Sequence, residues 1–432
     1  MVTIIGGGLA GCEAAYQIAK NGIEVKLYEM KPKKFSEAHS NSNLAEIVCS
    51  NSFKSNLHTN ACGLLKEELR FLDSLLIRCA DETSVPAGQA LAVDREKFAE
   101  LVTKKIKEMP NIEIINEEIT EIPEDADIVV IATGPLTSEG LSEAIIKLTE
   151  KKGLHFYDAA APIIEKDSID MNIGFLGDRY GKGEACYINL PMNKDEYEKF
   201  WNELVNSEVV ELHEFEKREI FEGCMPVEVM AKRGIDTLRF GPLKPVGFTD
   251  PRTGERPYAI VQLRQDNTEG NLYNIVGFQT NLKFGEQKRV FSMIPGLENA
   301  DFVKYGVMHR NTFINSSELL DETYNLKSNT KIYFAGQITG VEGYVESIAS
   351  GMVVGLNIVN KIKNEEQIIF PETTMIGALS KYISTPNDKF QPMNANFGIL
   401  PQLNERIKDK KIKYEKLADK ALENLKNYIS KS

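Results

Sequence analysis

No stretch of about 18 uninterrupted apolar residues occurs in the 432-residue chain, so nothing in it has the length of a membrane-crossing helix. The opening residues run directly into an apolar strand pattern, without a charged stretch or a small-residue cleavage site. That predicts no secretion signal and a cytoplasmic protein. Cysteine is sparse: Cys12, Cys49, Cys62, Cys79, Cys186 and Cys224 contain no CxxC pair, which suits reduced thiols and argues against a disulfide framework or a zinc site. No metal is expected. Positive charge is short as well, since 51 Lys and Arg against 63 Asp and Glu leave a net charge of −12. Such a chain does not coat nucleic acid by bulk electrostatics, because neutralising phosphates takes clustered cations. Internal repeats and low-complexity segments are also missing. What remains, 42% hydrophobic and 26% charged, is an ordinary globular composition with room for two or three cores.

The most informative segment is the first. Val2-Thr3-Ile4-Ile5 is followed by Gly6-Gly7-Gly8-Leu9-Ala10-Gly11, and a second apolar run ends at Glu29. This reads as strand, glycine turn, helix, and a second strand ending in an acid. Gly6 permits the tight turn, Gly8 lets backbone approach a pyrophosphate, Gly11 lets helix and strand pack closely, and the helix N-terminus offers N–H groups to phosphates. Glu29 is placed to accept hydrogen bonds from a ribose. An adenine dinucleotide is therefore expected, with S-adenosylmethionine the outside alternative.

Apolar residues at Leu65, Leu69, Leu72 and Leu76 predict a helix over 64–79, Asp94-Arg95 opens another to about Met109, and Ile112–Ile115 reads as a strand. The apolar strand Ile128–Ile131 ends in Ala132-Thr133-Gly134, small residues that let chain pass close to a cofactor. From Gly153 to Leu320 the runs shorten and Pro and aromatic residues accumulate, which reads as an inserted α+β domain. Lys331–Phe334 returns to a buried-strand pattern, and Ala335-Gly336-Gln337 leads into a helix rich in small residues. The expected fold is thus a doubly wound α/β Rossmann-type domain built from residues 1–152 and 321–432, the latter ending in a charged helix from about Leu403, with 153–320 inserted.

Two cysteines differ from the rest. Cys49 lies in a polar loop, Val48-Cys49-Ser50-Asn51-Ser52, and Cys224 lies in Gly223-Cys224-Met225-Pro226 ahead of Lys232-Arg233. Exposed turns with nearby cations favour thiolates, whereas the other four read as small buried hydrophobes. The basic stretch through Lys232, Arg233, Arg239, Lys244, Arg252, Arg256 and Arg264, interleaved with Phe240, Phe248 and Tyr258, is either a solvated face or a phosphate-binding patch.

Several longer segments carry a resemblance. Val48–Ser52, Ser84–Gly88, Tyr157–Pro162, Glu222–Pro226, Tyr305–Asn311, Ala335–Gln337 with Gly340–Tyr344, and Gln391–Gly398 closely resemble the bacterial folate- and FAD-dependent tRNA (uracil-5-)-methyltransferases, the TrmFO family. The resemblance implies methylation of C5 of a T-loop uridine in tRNA, with the carbon from 5,10-methylenetetrahydrofolate and electrons from FAD that NADH or NADPH reduces. It places the nucleophile on Cys224, a second catalytic thiol on Cys49, and Tyr344 and His309 around the cofactor rings. Lys232, Arg233 and Arg264 become the candidate RNA contacts. A ribosomal RNA target and a small-molecule flavin oxidoreductase remain the alternatives, and the sequence leaves the oligomeric state open.

Overall fold

The computed structural model describes residues 1–150, 154–159, 161–181, 186–210, 225–306, 308–388, 390–405 and 407–430. Its central sheet has six strands in the order Asn325–Leu326, Asn329–Phe334, Ile128–Ile131, Val2–Ile5, Val25–Glu29 and Ile112–Asn116. All neighbours are parallel except the first pair, and Ile4 sits between Leu27 and Val130. Val2–Ile5 and Ile128–Ile131 are buried along their whole length, the unbroken apolar pattern of strands covered on both faces. The doubly wound α/β fold read from the sequence is therefore present, and the chain leaves the opening strand at its C-terminal end, where strand order reverses and ligands bind.

The helix Leu9–Ala19 follows that strand and packs against the helix Tyr344–Lys363. Glycine makes this contact possible. A Cβ on Gly351 would stand 2.3 Å from the Ala10 carbonyl oxygen, and one on Gly355 would stand 2.7 Å from Gln17 Cβ.

A second, antiparallel sheet runs Phe175–Gly177, Tyr187–Met192, Ala259–Gln265, Leu272–Ile275, Ile163–Glu165 and Phe302–Lys304. It carries its own apolar core, with Leu190, Val261, Phe200 and Phe278 fully buried. Two smaller sheets complete the described strands, a pair formed by Leu154–Ala159 with Met308–Phe313 and a three-stranded sheet of Ser52–Ser55, Ala90–Val93 and Ser84–Val85.

One expected element is split. The single helix over 64–79 is two, Ala61–Phe71 and Leu75–Glu82. Asp73 turns left-handed at φ 59°, and the Ser74 hydroxyl caps the second helix by accepting from Ile77 N–H at 3.2 Å. The buried Glu13 carboxylate fixes the break by accepting from the Ser74 hydroxyl at 2.8 Å and Leu76 N–H at 3.0 Å. Apolar periodicity continues across the break because both helices face the same core. The final helix begins at Lys410, capped by Asp409, later than the expected start at Leu403.

Candidate functional site

A cleft of about 1150 Å³, counted out to its open mouth, lies at the C-terminal end of the parallel sheet. The glycine turn forms its floor. Gly6 adopts φ 106°, and a Cβ there would come within 2.6 Å of the Ala132 carbonyl oxygen, so only glycine lets this turn pass the Ala132-Thr133-Gly134 turn. A Cβ on Gly11 would sit 1.9 Å from Gly6 O. Gly8 is the opposite case, with nothing within 4 Å of its added Cβ. It borders open cleft at the start of the Leu9–Ala19 helix, which has no side-chain cap. The first-turn N–H groups beside Gly8, Leu9 and Ala10 are thus available to an anion.

The cleft has two ends. On the side of Val25–Glu29 it is bordered by Glu29, Lys31 and Glu117. Glu29 is buried, and its carboxylate accepts from Gly7 N–H and Lys31 N–H, both at 3.0 Å. These bonds orient it and leave acceptor capacity, since a carboxylate accepts about four. On the other side, beyond Ile128–Ile131 and Asn329–Phe334, the lining includes Gly134, Asn311, Gly336, Gln337, Tyr344 and Cys49. Gly336 N–H donates to the Ser350 hydroxyl at 2.6 Å, and Gln337 donates to Glu342 at 2.5 Å, which ties this turn to the Tyr344–Lys363 helix.

Cys49 is partly exposed at that end. Its loop is held from three directions. The Tyr344 hydroxyl accepts from Cys49 N–H at 3.0 Å and Ser50 N–H at 3.1 Å, and burial raises the Tyr344 pKa, with the nearby Cys49 adding to the rise. Arg95 donates to the carbonyls of Ile47 (3.3 Å) and Val48 (3.0 Å) while its Nε bridges both carboxylate oxygens of Asp266, at 3.1 and 3.0 Å. Arg264 donates to Asn51 Oδ1 at 3.0 Å and to the Ser50 hydroxyl at 2.7 Å. Lys304 completes the surroundings: burial lowers its pKa, Arg95 lowers it further, and Glu46, Asp266 and Cys49 oppose that. Arg95, Arg264 and Lys304 thus lie among the residues around the Cys49 loop, together with the acids Asp266 and Glu46.

The remaining expectations fall as follows. Cys12, Cys62, Cys79 and Cys186 are buried; burial raises the Cys62 thiol to about 11 and the Cys79 thiol to about 12. Cys224 lies outside the described residues. His309 belongs to the strand Met308–Phe313, opposite Asp158, and its side chain lies outside the described residues. Arg264, expected at an RNA face, is instead 7% exposed with its guanidinium occupied by Ser50 and Asn51 of the Cys49 loop; the strand Ala259–Gln265 is covered on both faces here, since its neighbour Leu263 is buried as well. Arg239 donates to Asp236 and Tyr258, and Arg252 pairs with Asp250. Lys232, Arg233, Arg256 and Phe240 are exposed. Arg95, Asp266 and Lys304 carry no site role in the sequence reading, whereas Asn311 falls in the Tyr305–Asn311 segment that carries the resemblance; no local signal marks the Arg95–Asp266 pair, whose members stand 171 residues apart. Among the described residues no group of three or more His, Cys, Asp or Glu is placed to hold a metal, and no helix is long and apolar enough to cross a membrane.

The comparisons with known proteins agree on a family. The family described as glucose inhibited division protein A matches residues 1–366. A methylenetetrahydrofolate-tRNA-(uracil-5-)-methyltransferase TrmFO from Acetivibrio thermocellus is 61% identical over 431 residues, covering 100% of this chain and 99% of its own. The enzymes of the same name from Halalkalibacterium halodurans and Fusobacterium nucleatum are 59% and 60% identical, covering 100% and 99% of this chain and 99% and 98% of their own. Among solved structures, Aquifex aeolicus GidA superposes with a TM-score of 0.71 at 16% identity, over 99% of this chain and 73% of that one; at that identity the likeness concerns the fold.

Proposed function

This chain belongs to the TrmFO family, and on that premise we propose that it methylates C5 of a uridine in tRNA, drawing the carbon from 5,10-methylenetetrahydrofolate and using FAD that NADH or NADPH reduces. The observation that carries the reading is the Cys49 loop, clamped by Tyr344 and Arg95 on the wall of the cleft that Glu29 and the glycine turn also line. Residues 1–152 and 321–432 hold the cofactor in this reading, and 153–320 present the RNA.

The residues of the cleft suit FAD. Gly6 to Gly11 bring backbone N–H groups to a pyrophosphate, Glu29 accepts from a ribose, and Ala132, Thr133, Gly134, Gly336, Gln337 and Tyr344 border the ring end. When bound, FAD supplies the electrons that turn the transferred carbon into a methyl group. The chain's own groups do the rest. Uracil C5 is a poor nucleophile until a thiolate adds to C6, so the Cys224 sulfur forms that bond. C5 would then bond the one-carbon unit; loss of the C5 proton to a base would break the bond from that carbon to the folate nitrogen and leave an exocyclic methylene, and a hydride equivalent added to it would give the methyl group as the thiolate leaves C6 and the ring recovers its double bond. Cys49 is the candidate for proton removal at C5, and Tyr344, Arg95 and Arg264 hold its loop in place. Lys232 and Arg233, exposed at the end of the helix Val227–Lys232, are candidates for phosphate contact.

The test uses purified protein, isotopically labelled methylenetetrahydrofolate, NADH or NADPH, and unmodified tRNA and ribosomal RNA transcripts side by side. Labelled 5-methyluridine in tRNA is expected, with none from Cys224→Ala and a severe loss from Cys49→Ala. Product in ribosomal RNA alone, or full activity in Cys224→Ala, refutes the assignment.

A further inference from the structure

Asn311 is completely buried, and neither its amide nitrogen nor its amide oxygen has a hydrogen-bond partner. Each such atom costs about 1–3 kcal/mol when left unpaired, and well over nine in ten buried polar groups find a partner. Both atoms are shielded from water, yet the residue borders the dinucleotide cleft rather than sitting in a hydrophobic cluster. Its position within the cleft follows from the backbone. Thr312 N–H donates to the Pro135 carbonyl and Ile314 N–H to the Ile338 carbonyl, both at 2.8 Å. Those acceptors sit in the turns that follow Ile128–Ile131 and Asn329–Phe334, across the opening strand from Glu29. A dinucleotide with its ribose at Glu29 and its pyrophosphate on the glycine turn carries its second ring system to this side.

Resting on the proposed function, we infer that Asn311 is a flavin-binding residue whose carboxamide pairs with an edge of the isoalloxazine that sets a ring nitrogen beside a carbonyl. A carboxamide offers an acceptor and two donors side by side, which matches an amide-type ring edge and neither a phosphate nor a hydrocarbon. The same end of the cleft contributes backbone turns, the phenol of Tyr344, the Cys49 loop and the amide of Gln337, whose nitrogen is already committed to Glu342, so Asn311 is the carboxamide there with both polar atoms left unpaired to fix ring orientation.

The test compares wild type with Asn311→Leu, of similar volume and without polar atoms, and with Asn311→Asp. FAD affinity is measured by quenching of flavin fluorescence, ADP affinity by calorimetry, and the midpoint potential of the bound flavin by dye equilibration. Asn311→Leu is expected to weaken FAD at least about tenfold, the worth of one hydrogen bond, while ADP, which fills only the Glu29 half, binds as in wild type. Its FAD-free melting temperature should equal or exceed that of wild type, because two orphan polar atoms are gone; a merely structural asparagine gives the opposite. Asn311→Asp is expected to lower the midpoint potential, since a carboxylate opposes added electrons. Unchanged FAD affinity and potential in the folded variants overturn the inference, as does equal weakening of ADP, or a change confined to folate binding by the FAD-loaded protein. A wild-type protein that takes up no FAD refutes the proposed function itself, which separates the two failures.

Discussion

Replacing Arg95 by alanine is the sharpest perturbation of the Cys49 loop. Arg95 is 13% exposed in its side chain and Asp266 is 5% exposed, so the substitution strands a carboxylate in a nearly dry setting and also frees the carbonyls of Ile47 and Val48. Removing one partner of a buried pair costs about 3–5 kcal/mol. In a chain of this length each kcal/mol moves the melting temperature by about 1–2 °C, so a fall of roughly 5 °C is expected. Asp266→Ala should cost less, about 1–3 kcal/mol, because Arg95 keeps its two carbonyl acceptors. The double variant has no orphaned carboxylate and should be more stable than the sum of the single effects by about 2 kcal/mol. Calorimetry on all four proteins reads this cycle. In parallel, methyl transfer by Arg95→Ala should drop by about 100-fold, the usual consequence of displacing a reacting group by an ångström, while FAD affinity holds, since Arg95 does not border the cleft. Strict additivity in the cycle, or loss of FAD binding in step with activity, refutes the view that this pair exists to place the Cys49 loop.

Other consequences follow from single contacts. Gly351→Ala adds a methyl group 2.3 Å from Ala10 O, so the overpacking cost of about 1–3 kcal/mol should exceed the helix-propensity gain of about 1 kcal/mol; a lower melting temperature and weaker FAD binding are expected, and an unchanged FAD affinity would mean the two helices part without moving the glycine turn. Tyr344→Phe removes the acceptor for Cys49 N–H and Ser50 N–H and should speed alkylation of Cys49 by a small electrophile, followed by mass spectrometry, while costing about 1–3 kcal/mol. Glu68 is fully buried, accepts from Met375 N–H at 2.7 Å and Ile376 N–H at 2.8 Å, and is pushed by burial from 4.5 up to about 7. Between about pH 4.5 and 7 the folded state keeps a proton that the unfolded state has lost, so this residue's contribution, at most about 3 kcal/mol, is complete at low pH and lost as pH rises through 7. Glu68→Gln should lack that slope in urea titrations across this range, and an identical slope in wild type and variant contradicts the assignment.

What could be read in advance was what repeats along the chain or lies within a few residues. The glycine turn, the Val25–Glu29 strand and the acid at its end are consecutive, and each glycine there answers a local constraint: Gly6 a positive φ, Gly11 a contact at 1.9 Å, Gly8 an open wall. The break between Ala61–Phe71 and Leu75–Glu82 escaped notice because it depends on Glu13, some 60 residues away, reaching the Ser74 hydroxyl. Asp73 and Ser74 are a stop and a start signal in hindsight, but periodic leucines outweighed them.

The misplacement of Arg264 has a more instructive cause. Basic residues in an acidic chain invite assignment to an acidic partner, yet Arg239, Arg252 and Arg264 of that stretch each bond to groups of the chain itself, and Arg264 is buried. A strand alternates its faces, so charge counted along the sequence says nothing of which face receives it. Arg264, with Gln265 and Asp266 beside it, reaches across to Asn51, Ser50 and Arg95. The antiparallel sheet therefore does more than carry its own apolar core. It supplies half of the clamp on a thiol whose cleft belongs to the parallel sheet, so a change that loosens the contact between the two sheets disorders the Cys49 loop before it disturbs the glycine turn.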